Sequence, residues 1–584
     1  MRCGNRPVSG GAPARPTRAL GKHCVAGNQE VKVIVSKYRG NPWVVLIVMS
    51  LGFFMTLLDL TIVNIAIPDM ISRLHASLDG VLWVINAYAL VLAVLLITAG
   101  RLGDLLGQRR LFIIGVTLFT LASAACGFSP TVGWLIAFRA IQGVGAALLL
   151  PQTLAILTTV FPPERRGAAF GIWGAVAGVA TIAGPTLGGL LVSAFDWRYI
   201  FFINLPIGAA VIVMSVFLIP DIKVGARHRL DVPGVLLATG GLLAICYGLV
   251  EGQKYSWGQI TSFISIPLVI GAGVVLVAVF LVVQARTQDK EPLVPFALFR
   301  DRNFSLMNWV SGVLSVGMMG IFLPFTIYLQ SALGFSALKA GLTLAPASII
   351  SMFVAPVAGR MTDKIGGKYI LMSGLMFFAI GFGLTALIAT TTSRWQDFIW
   401  TLSIAGLGMG CTFAPMTTVA MRNIEPRVAG AASGMINTVR QVGSVIGTAA
   451  VGALLQNRLA ASLPVAAAQR AGSLPPSARK QFVSGFAASA QHGSAANPTQ
   501  GASIKLPPGA PASLATELHK LASEVFSAGY VTAMHSTMIG PIALLVVASL
   551  SCLGIKRGVR PPRPAAGSAQ ADSATLPEAS QAPA

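Results

Sequence analysis

The chain has 584 residues, of which 54% are hydrophobic and 11% are charged, against about 25% charged residues in ordinary soluble domains. Its formal net charge is +22, but most basic residues lie in the tails and at the ends of apolar segments, where they orient a membrane protein rather than bind nucleic acid. The apolar segments are long enough to cross the roughly 30 Å hydrocarbon core as helices, which excludes a soluble enzyme and predicts an all-α polytopic membrane protein.

The chain begins with a basic segment, residues 1–42, that is rich in Gly and Pro and has no apolar stretch of signal-peptide length, so a disordered cytoplasmic tail is expected. Fourteen apolar segments follow, each suited to one membrane-spanning helix. They are predicted at 43–67, 80–100, 111–130, 133–158, 167–193, 199–219, 232–251, 262–284, 304–330, 338–358, 369–391, 397–420, 430–455 and 531–554. Residues 556–584 are expected to form a second disordered tail.

The distribution of Lys and Arg among the connecting segments predicts the orientation in the membrane. With the N-terminus inside, the cytoplasmic segments contain 29 of these residues and the external segments contain 11. Six of the external ones lie in the long segment 456–530, whose length removes it from the positive-inside count. We therefore expect a multi-pass protein of the plasma (inner) membrane with both termini in the cytoplasm.

The external segment 456–530 precedes the last predicted helix. Its first part, up to about Pro511, is rich in Ala, Ser, Pro, Gly and Gln, whereas Ala512 to Phe526 has apolar residues at helical spacing. The second part predicts a short amphipathic helix. Two interpretations of the segment stay open: a poorly ordered spacer, or a docking surface for a periplasmic adaptor protein.

Two pairs of similar segments indicate an internal duplication. Gly100–Arg110 (GRLGDLLGQRR) matches Gly359–Lys368 (GRMTDKIGGK) at an offset of 259, and Gly167–Gly171 (GAAFG) matches Gly430–Gly434 (GAASG) at an offset of 263. Two copies at nearly constant offset predict a duplicated six-helix unit. Such a scaffold places a substrate site at mid-membrane between the halves, with alternating access by rocking of one half against the other.

The duplication divides the chain into regions. An N-terminal six-helix bundle is predicted at 43–219 and a C-terminal six-helix bundle at 303–555, the latter including the external segment. The region 220–302 between them then contains two inserted linker helices with flanking cytoplasmic loops.

Five motifs resemble those of a known transporter family. They are GRLGDLLGQRR at 100–110, AFRAIQG at 137–143, GPTLGG at 184–189, LDLTIVNIAIP at 58–68 and WRYIFFINLP at 197–206. Over roughly residues 43–555 the chain resembles the fourteen-helix drug:proton antiporters (EmrB/QacA type) of the major facilitator superfamily. The resemblance implies the major facilitator fold and proton-coupled export of hydrophobic or amphipathic small molecules such as drugs.

Three ionisable residues lie well inside the predicted spans, where each is costly: Asp59, Arg139 and Arg440. Asp59 lies about 12 Å and Arg139 about 9 Å from the outer ends of their helices, so they are expected at similar depth. The pair is either a fixed lock between helices 1 and 4, or a proton site in which Arg139 keeps Asp59 ionised until the contact weakens. The resemblance implies proton coupling at these positions.

The duplicated segments contain glycines and charges suited to a gate. In the first copy they are Gly100, Asp104, Gly107, Arg109 and Arg110, and in the second copy Gly359, Asp363 and Gly366. Asp104 is expected to accept hydrogen bonds from a helix N-terminus or to pair with Arg109 or Arg110. The resemblance implies a conformational latch; the alternative is a plain cytoplasmic turn whose charges set the topology.

Helix 5 has closely spaced small residues and a proline. They are Gly174, Gly178, Gly184, Pro185, Gly188 and Gly189. Glycines at this spacing permit close helix contact, and the proline bends the helix. The resemblance implies that this antiporter helix seals against leak, while ordinary small-residue packing would use the same residues.

Aromatic and amide side chains within the spans are candidates for substrate binding, because they offer stacking and hydrogen bonds to flat or lipophilic ligands. They are Asn64, Trp83, Asn86, Tyr88, Gln142, Trp309, Tyr328, Gln330, Asn437 and Gln441, together with Arg440. For Arg440 two roles stay open: it binds an anionic group, or its guanidinium donates to backbone carbonyls.

The sequence therefore predicts a proton-coupled secondary efflux transporter whose partners are a small-molecule substrate, protons and the lipid bilayer. The alternative is a uniporter or importer of a specific metabolite on the same fold. We expect no cofactor, no metal and no nucleic-acid partner, since the sequence has neither a phosphate-binding loop nor a ligand cluster. A membrane enzyme would need a catalytic constellation, and the sequence contains none that we recognise.

Overall fold

A computed structural model describes residues 39–76, 78–220, 231–252, 254–288, 292–473, 479, 482–486 and 512–556 of the chain. Most of the two predicted tails, and residues 487–511 of the external segment, lie outside these ranges. Within them the chain is helical, with one isolated β-bridge between Gln259 and Ser265.

Fourteen long helices occupy the described residues, one at each predicted span. They are α1 (Pro42–Ile62), α2 (Leu78–Leu106), α3 (Gln108–Gly127), α4 (Val132–Val160), α5 (Arg166–Ala194), α6 (Asn204–Leu218), α7 (Val232–Glu251), α8 (Ile266–Arg286), α9 (Arg302–Ile327), α10 (Ala337–Ile365), α11 (Lys368–Ile388), α12 (Ile399–Met421), α13 (Ala429–Arg470) and α14 (Ala512–Ser551). Thirteen of these segments are long and apolar enough over their described residues to cross a membrane, with α6 counted together with the short helix that begins at Tyr199. The remaining helix, α5, has 29 residues, which is also a spanning length.

Side-chain caps explain why several helices begin where they do. The Asn41 side chain accepts a hydrogen bond from the Trp43 amide at 3.0 Å, and Pro42 occupies the first helical position. Asp231 and Asp301 likewise accept from amides three residues later, each at 2.9 Å. These caps satisfy N–H groups that have no partner within the helix, so the polar residues between apolar segments set the helix starts.

We call the side of the bundle at which α1 begins the inner side, because it is the predicted cytoplasmic side; Gly107 and Gly366 also lie there. On the opposite, outer side, α1 continues through a 3-10 turn, Val63–Ala66, into a short helix, Ile67–Leu74. Asp69 of this short helix accepts a hydrogen bond from the Trp197 amide at 3.0 Å. Two of the sequence motifs thus meet at the outer side.

The two halves contact each other through paired glycines on the inner side. A Cβ atom on Gly171 of α5 would lie 2.6 Å from the Ala355 carbonyl oxygen of α10. A Cβ atom on Gly434 of α13 would lie 2.8 Å from the Leu96 carbonyl oxygen of α2. The halves therefore approach at backbone distance along α5–α10 and α2–α13, which small residues permit.

The inserted pair, α7 and α8, forms a hairpin beside the duplicated bundle. Gly241 of α7 and Gly273 of α8 face each other, since a Cβ atom on either would approach the other's carbonyl oxygen within 3.1 Å. The Trp83 ring of α2 lies 6.0 Å from the Tyr247 ring of α7, between ring centroids. The pair is thus attached through α2 on its inward face.

The external segment differs from the sequence expectation. Helix α13 does not end near residue 455 but continues to Arg470, and the predicted amphipathic helix 512–526 is the first part of the 40-residue helix α14. The two extensions pack through apolar side chains, with Leu463 1% and Val525 0% exposed. Residues 456–473 and 512–530 are therefore helical rather than a poorly ordered spacer. Leucines at every fourth residue from 455 to 463 lie on one face of α13, and this face packs against α14.

Candidate functional site

Asp59 of α1 and Arg139 of α4 are both completely buried and form an ion pair. The Arg139 Nη1 group donates to Asp59 Oδ2, and its Nε group donates to the Val84 carbonyl of α2 at 3.0 Å. The contact joins three helices of the first half. The two side chains that sequence depth predicted to face each other are therefore brought together.

Gln142 completes this network. Its Nε2 group donates to Asp59 Oδ1 at 3.0 Å, and its Oε1 atom accepts from Arg139 Nη1 at 2.8 Å. The side chain is fully buried and holds both charges, so Gln142 lies in the ion-pair network rather than on a substrate surface. We call Asp59, Arg139 and Gln142 the buried triad.

Tyr88 covers the buried triad from α2. The Arg139 guanidinium carbon lies 4.3 Å from the centroid of the Tyr88 ring, a cation–π distance. Neither the Tyr88 hydroxyl nor Arg139 Nη2 has a hydrogen-bond partner among the described residues. Buried polar atoms are rarely left unpaired, so this site has unused hydrogen-bonding capacity.

Asp104 at the inner end of α2 caps α13 of the other half. Its two carboxylate oxygens accept from the Gly430 and Ala431 amides at 2.9 and 2.8 Å. Asp104 therefore binds a helix N-terminus, which was one of its two expected partners. It does not pair with the other expected partners, because Arg109 donates to the Val216 carbonyl and Arg110 is exposed. A carboxylate at a helix N-terminus is favoured by both the free N–H groups and the helix dipole.

Asp363 makes the same contact in the second copy. Its carboxylate accepts from the Gly167 and Ala168 amides of α5 at 2.8 and 2.9 Å. The two carboxylates thus connect the halves reciprocally, because each lies at the inner end of a helix in one half and binds the start of a helix in the other half. We call these contacts the two latches.

The latch segments are helix ends rather than loops. Residues 100–106 continue α2 and residues 359–365 continue α10, so the loop expected over 100–110 is confined to Gly107. Gly107 and Gly366 adopt φ angles of +96° and +88°, which other residues rarely tolerate. Gly100 and Gly359 face Gly430 and Gly167 across the halves, where a Cβ atom would overlap a carbonyl oxygen.

The glycines of α5 contact two different helices. Gly178 faces Ser348 of α10, whose carbonyl oxygen would lie 2.9 Å from a Cβ atom, while Gly184 and Gly188 face α1 at Thr61 and Ile62. A Cβ atom on Gly174 would lie 3.9 Å from the Phe413 Cβ atom of α12, an ordinary contact, whereas Gly189 has no atom within 4 Å of its Cβ position, and Pro185 lies within the helix. Helix α5 therefore contacts α10 over its inner part and α1 over its outer part.

Most of the aromatic substrate candidates do not gather in one place. Tyr328 is buried, and its hydroxyl donates to the Thr390 carbonyl at 2.6 Å. Trp309 is 56% exposed on the outside of the bundle, and Trp83 packs toward α7. These positions do not support a shared aromatic pocket.

The amide candidates are also spread out. Asn64 is exposed beyond α1, where its amide donates to the Leu60 carbonyl at 3.0 Å, and Gln330 is exposed near the outer end of α9. Asn86 is half-buried on α2. On α13, Asn437 is 3% exposed and donates to the Ser433 carbonyl at 2.9 Å.

Arg440 and Gln441 are half-buried near the middle of α13. Arg440 has neither a hydrogen bond nor an ion pair with any residue that the structure describes, so it does not donate to backbone carbonyls there. Of its two expected roles, backbone bonding is thus not observed.

An apolar cavity of about 560 Å³ lies between the inserted pair and helices α9 and α13. Its lining includes Leu281, Trp309 and Ile446, each more than 40% exposed, so it opens on the outside of the bundle. It is separate from the buried triad, whose side chains do not line it.

Sequence reasoning expected a helix N-terminus as a partner for Asp104 but did not identify which main-chain groups bind at the site. These groups are the Val84 carbonyl and the amides that bind Asp104 and Asp363. Main-chain groups occur at every residue, so the type of side chain does not indicate which of them bind. A signal was present for the amides, since the duplicated GAAFG and GAASG segments mark the starts of α5 and α13.

Comparison with known proteins adds a family and relatives. A family model described as Major Facilitator Superfamily matches residues 49–448. The chain is 40% identical over 430 residues to the uncharacterized MFS-type transporter Rv1250 of Mycobacterium tuberculosis, covering 74% of this chain and 73% of that protein. It is 35% identical over 437 residues to the tetracenomycin C resistance and export protein of Streptomyces glaucescens, covering 74% and 79%. It is 35% identical over 419 residues to multidrug resistance protein Stp of M. tuberculosis, covering 72% and 76%.

Solved structures show the same fold at low identity. The human organic anion transporter MFSD10 (TETRAN) aligns with a TM-score of 0.51 at 13% identity, covering 86% of this chain and 99% of that one. The proton:xylose symporter XylE aligns with a TM-score of 0.50 at 14% identity, covering 72% and 90%. At such identities the similarity concerns the fold alone.

Proposed function

The chain belongs to the Major Facilitator Superfamily, and from this premise we propose that it is a proton-coupled antiporter that exports hydrophobic or amphipathic small molecules from the cytoplasm. Relatives named for multidrug resistance, for puromycin resistance and for resistance to and export of tetracenomycin C support drug export. The proposed location is the plasma (inner) membrane with both termini cytoplasmic, so that the inner side faces the cytoplasm. A periplasmic adaptor stays a prediction.

The buried triad is the observation on which the proton coupling rests. Burying an ion pair in a membrane protein is a poor way to gain stability, because desolvation offsets much of the attraction. Ionisable groups inside spans are therefore functional by default. By the repeat offsets, Asp59 and Arg139 correspond to positions near Met318 and Thr401, so the pair is specific to the first half.

Protonation of Asp59 would change the packing of α1 against α4. The neutral acid no longer balances Arg139, which keeps its own proton in proteins. The unbalanced guanidinium then favours another arrangement of α1, α2 and α4, in which its charge is hydrated or paired. If the ionised and the neutral form of Asp59 prefer different packings of α1, α2 and α4, proton binding is coupled to rocking of the halves.

The latches support an alternating-access cycle. Both tie the inner ends of the halves together, which corresponds to closure toward the proposed cytoplasm. Opening on that side requires Asp104 and Asp363 to release four backbone amides. Inward proton movement is favoured by about 2.3 kcal/mol per 100 mV of membrane potential, plus the pH gradient, and this free energy would give the cycle its direction.

Replacement of the acid tests this proposal. In liposomes containing the full chain, an imposed pH gradient should drive rhodamine 6G transport, and Asp59→Asn should reduce that transport at least tenfold. Passive exchange of labelled for unlabelled rhodamine 6G should persist in the variant, because exchange needs no proton. The control is Glu425→Gln, which removes a carboxylate that is 60% exposed at the surface.

The result also separates the alternatives. Undiminished gradient-driven transport by Asp59→Asn would reject the assignment of the proton site. A wild type that merely equilibrates its substrate, whatever the gradient, would instead favour a uniporter or importer of a specific metabolite.

A further inference from the structure

Helix α13 contains a cation, Arg440, without a counter-charge. One carboxylate in the middle of a described span, Asp59, and three buried or half-buried carboxylates at the inner or outer helix ends already have partners. Asp59 pairs with Arg139, Asp104 and Asp363 bind backbone amides, and Glu251 lies 3.5 Å from Lys254. The residues that the structure describes therefore offer Arg440 neither an ion pair nor a hydrogen bond.

The neighbours of α13 establish which way Arg440 faces. Gly434 contacts α2 at the Leu96 carbonyl, and Gly443 contacts α9 at the Gly312 carbonyl, each 2.8 Å from a glycine Cβ position. At about 100° per residue these two glycines lie on opposite sides of α13.

The apolar cavity marks a third side of α13. Its lining from this helix consists of Met435, Thr438, Val439, Val442, Gly443 and Ile446. Most of these residues lie at about 40–140° from Gly434, on the side that faces out of the bundle.

Arg440 lies on the fourth side, at about 240° from Gly434, together with Asn437 and Ser444. This side lies opposite the apolar cavity, and α13 contacts α2 and α4 of the first half, so it is turned toward the other half. Exposure along it increases toward the outer side, from buried Asn437 through half-buried Arg440 and Ser444 to exposed Thr448. The Arg440 side of α13 is therefore more accessible from the outer side of the bundle than from the inner side.

Arg440 also lies at substrate-site depth. It is eleven residues after Ala429, where α13 begins, which corresponds to about 16 Å along the helix and to the middle of the hydrocarbon core. An unpaired guanidinium is costly at this depth. Its planar array of donors matches a carboxylate in a bidentate way.

We propose that Arg440 is an anion subsite on the side of α13 that is turned toward the other half, and that the substrates of this transporter include amphipathic molecules with an acidic group, such as a carboxylate or a phenolate. This inference rests on the proposed export function and adds a substrate class to it. The subsite belongs to the second half, whereas the buried triad belongs to the first half, so substrate charge and proton occupy separate places.

Two dyes with the same xanthene skeleton test the subsite. Fluorescein has a free carboxylate and a phenolate, whereas rhodamine 6G is an esterified cation. Binding of each dye to the purified full-length protein is measured by fluorescence polarisation. Arg440→Gln should weaken fluorescein binding at least tenfold and change rhodamine 6G binding less than twofold, and Arg440→Lys should restore part of the fluorescein affinity.

Controls keep the test independent of folding and of transport. Retained rhodamine 6G binding shows that each variant is folded, and Arg300→Gln removes an exposed cation at the inner side without affecting either dye. Equal weakening of both dyes by Arg440→Gln, or a wild type that does not bind fluorescein, would overturn the subsite. Failure of proton coupling would appear only in the Asp59→Asn transport assay, since dye binding requires no gradient.

Discussion

Gln142 lies three residues after Arg139 on α4, so both side chains project from the same face of the helix toward Asp59. Each member of the buried triad hydrogen-bonds to both of the others, so removal of one leaves each of the other two buried with one partner fewer. The sequence placed Gln142 among substrate-binding candidates because an amide in an apolar span suits a ligand equally well. Its position three residues after a buried arginine was the signal for the network.

Replacement of Gln142 by Leu should therefore destabilise the protein. The change removes one donor to Asp59 and one acceptor for Arg139, and an unsatisfied buried group costs about 1–3 kcal/mol. We expect a lower thermal unfolding midpoint, measured by intrinsic tryptophan fluorescence in detergent. Gln396→Leu, at an exposed glutamine, is the matched control and should leave the midpoint unchanged; equal midpoints for both variants would contradict the network.

The two latches, to which we assign the proposed gating, are made by helix ends rather than by loops. Asp104 and Asp363 each lie two residues before the end of a helix and cap the first turn of a helix in the other half. Because the caps lie at helix N-termini, each carboxylate satisfies two amides that otherwise have no partner in their own helix. A latch of this kind opens when its acceptors withdraw, without melting of the helix.

Loss of either carboxylate should expose a specific pair of amides to exchange. Hydrogen bonds to a charged group contribute about 1.5–3 kcal/mol each, so Asp104→Ala should accelerate deuterium uptake at residues 430–431 at least tenfold. Asp363→Ala should act most strongly at residues 167–168, which makes each variant the control for the other. Hydrogen-exchange mass spectrometry measures both, and unchanged protection at the capped residues would refute the caps.

At the scale of the whole molecule, the duplicated halves share the latch contacts at the inner side but not the charged residues in the middle of the spans. Both latches follow the duplication, and both use glycines that let backbones of opposite halves touch. The buried triad and Arg440 do not follow it, since each occurs in one half. Contacts repeated in both halves, together with charged sites that occur in one half each, suit the proposed coupled transport, because one rocking motion would act on both the buried triad and Arg440.

A side chain inserted between the halves should loosen both latches together. Gly359→Ala places a methyl group against the Gly167 carbonyl oxygen, and overpacking of this kind costs about 1–3 kcal/mol. We expect faster amide exchange at 167–168 and also at the distant 430–431, because the halves separate as bodies. Gly383→Ala, with no atom within 4 Å of its new methyl group, is the control; a change confined to 167–168 would indicate local disturbance only.

Several elements followed directly from the sequence. All fourteen helices lie at predicted spans. A segment of about 20 apolar residues in a membrane forms a helix, because a helix satisfies the backbone hydrogen bonds within the segment itself. The match of Gly100–Arg110 to Gly359–Lys368 located both latch segments. The facing of Asp59 and Arg139 followed from counting residues to the ends of two antiparallel helices.

Other features needed the tertiary structure. Lipid and protein interiors are equally apolar, so sequence alone did not distinguish Trp309, on the outside of the bundle, from Tyr328 in its core. The extensions of α13 and α14 support each other only after the chain has turned back, so the sequence indicated neither the continuation of α13 nor the joining of the amphipathic segment 512–526 to α14. The sequence by itself determined the helices, their duplication and the rare charges, since these depend on local composition. Which backbone amides Asp104 and Asp363 bind, and that Arg440 stays unpaired among the described residues, was decided by packing between segments hundreds of residues apart.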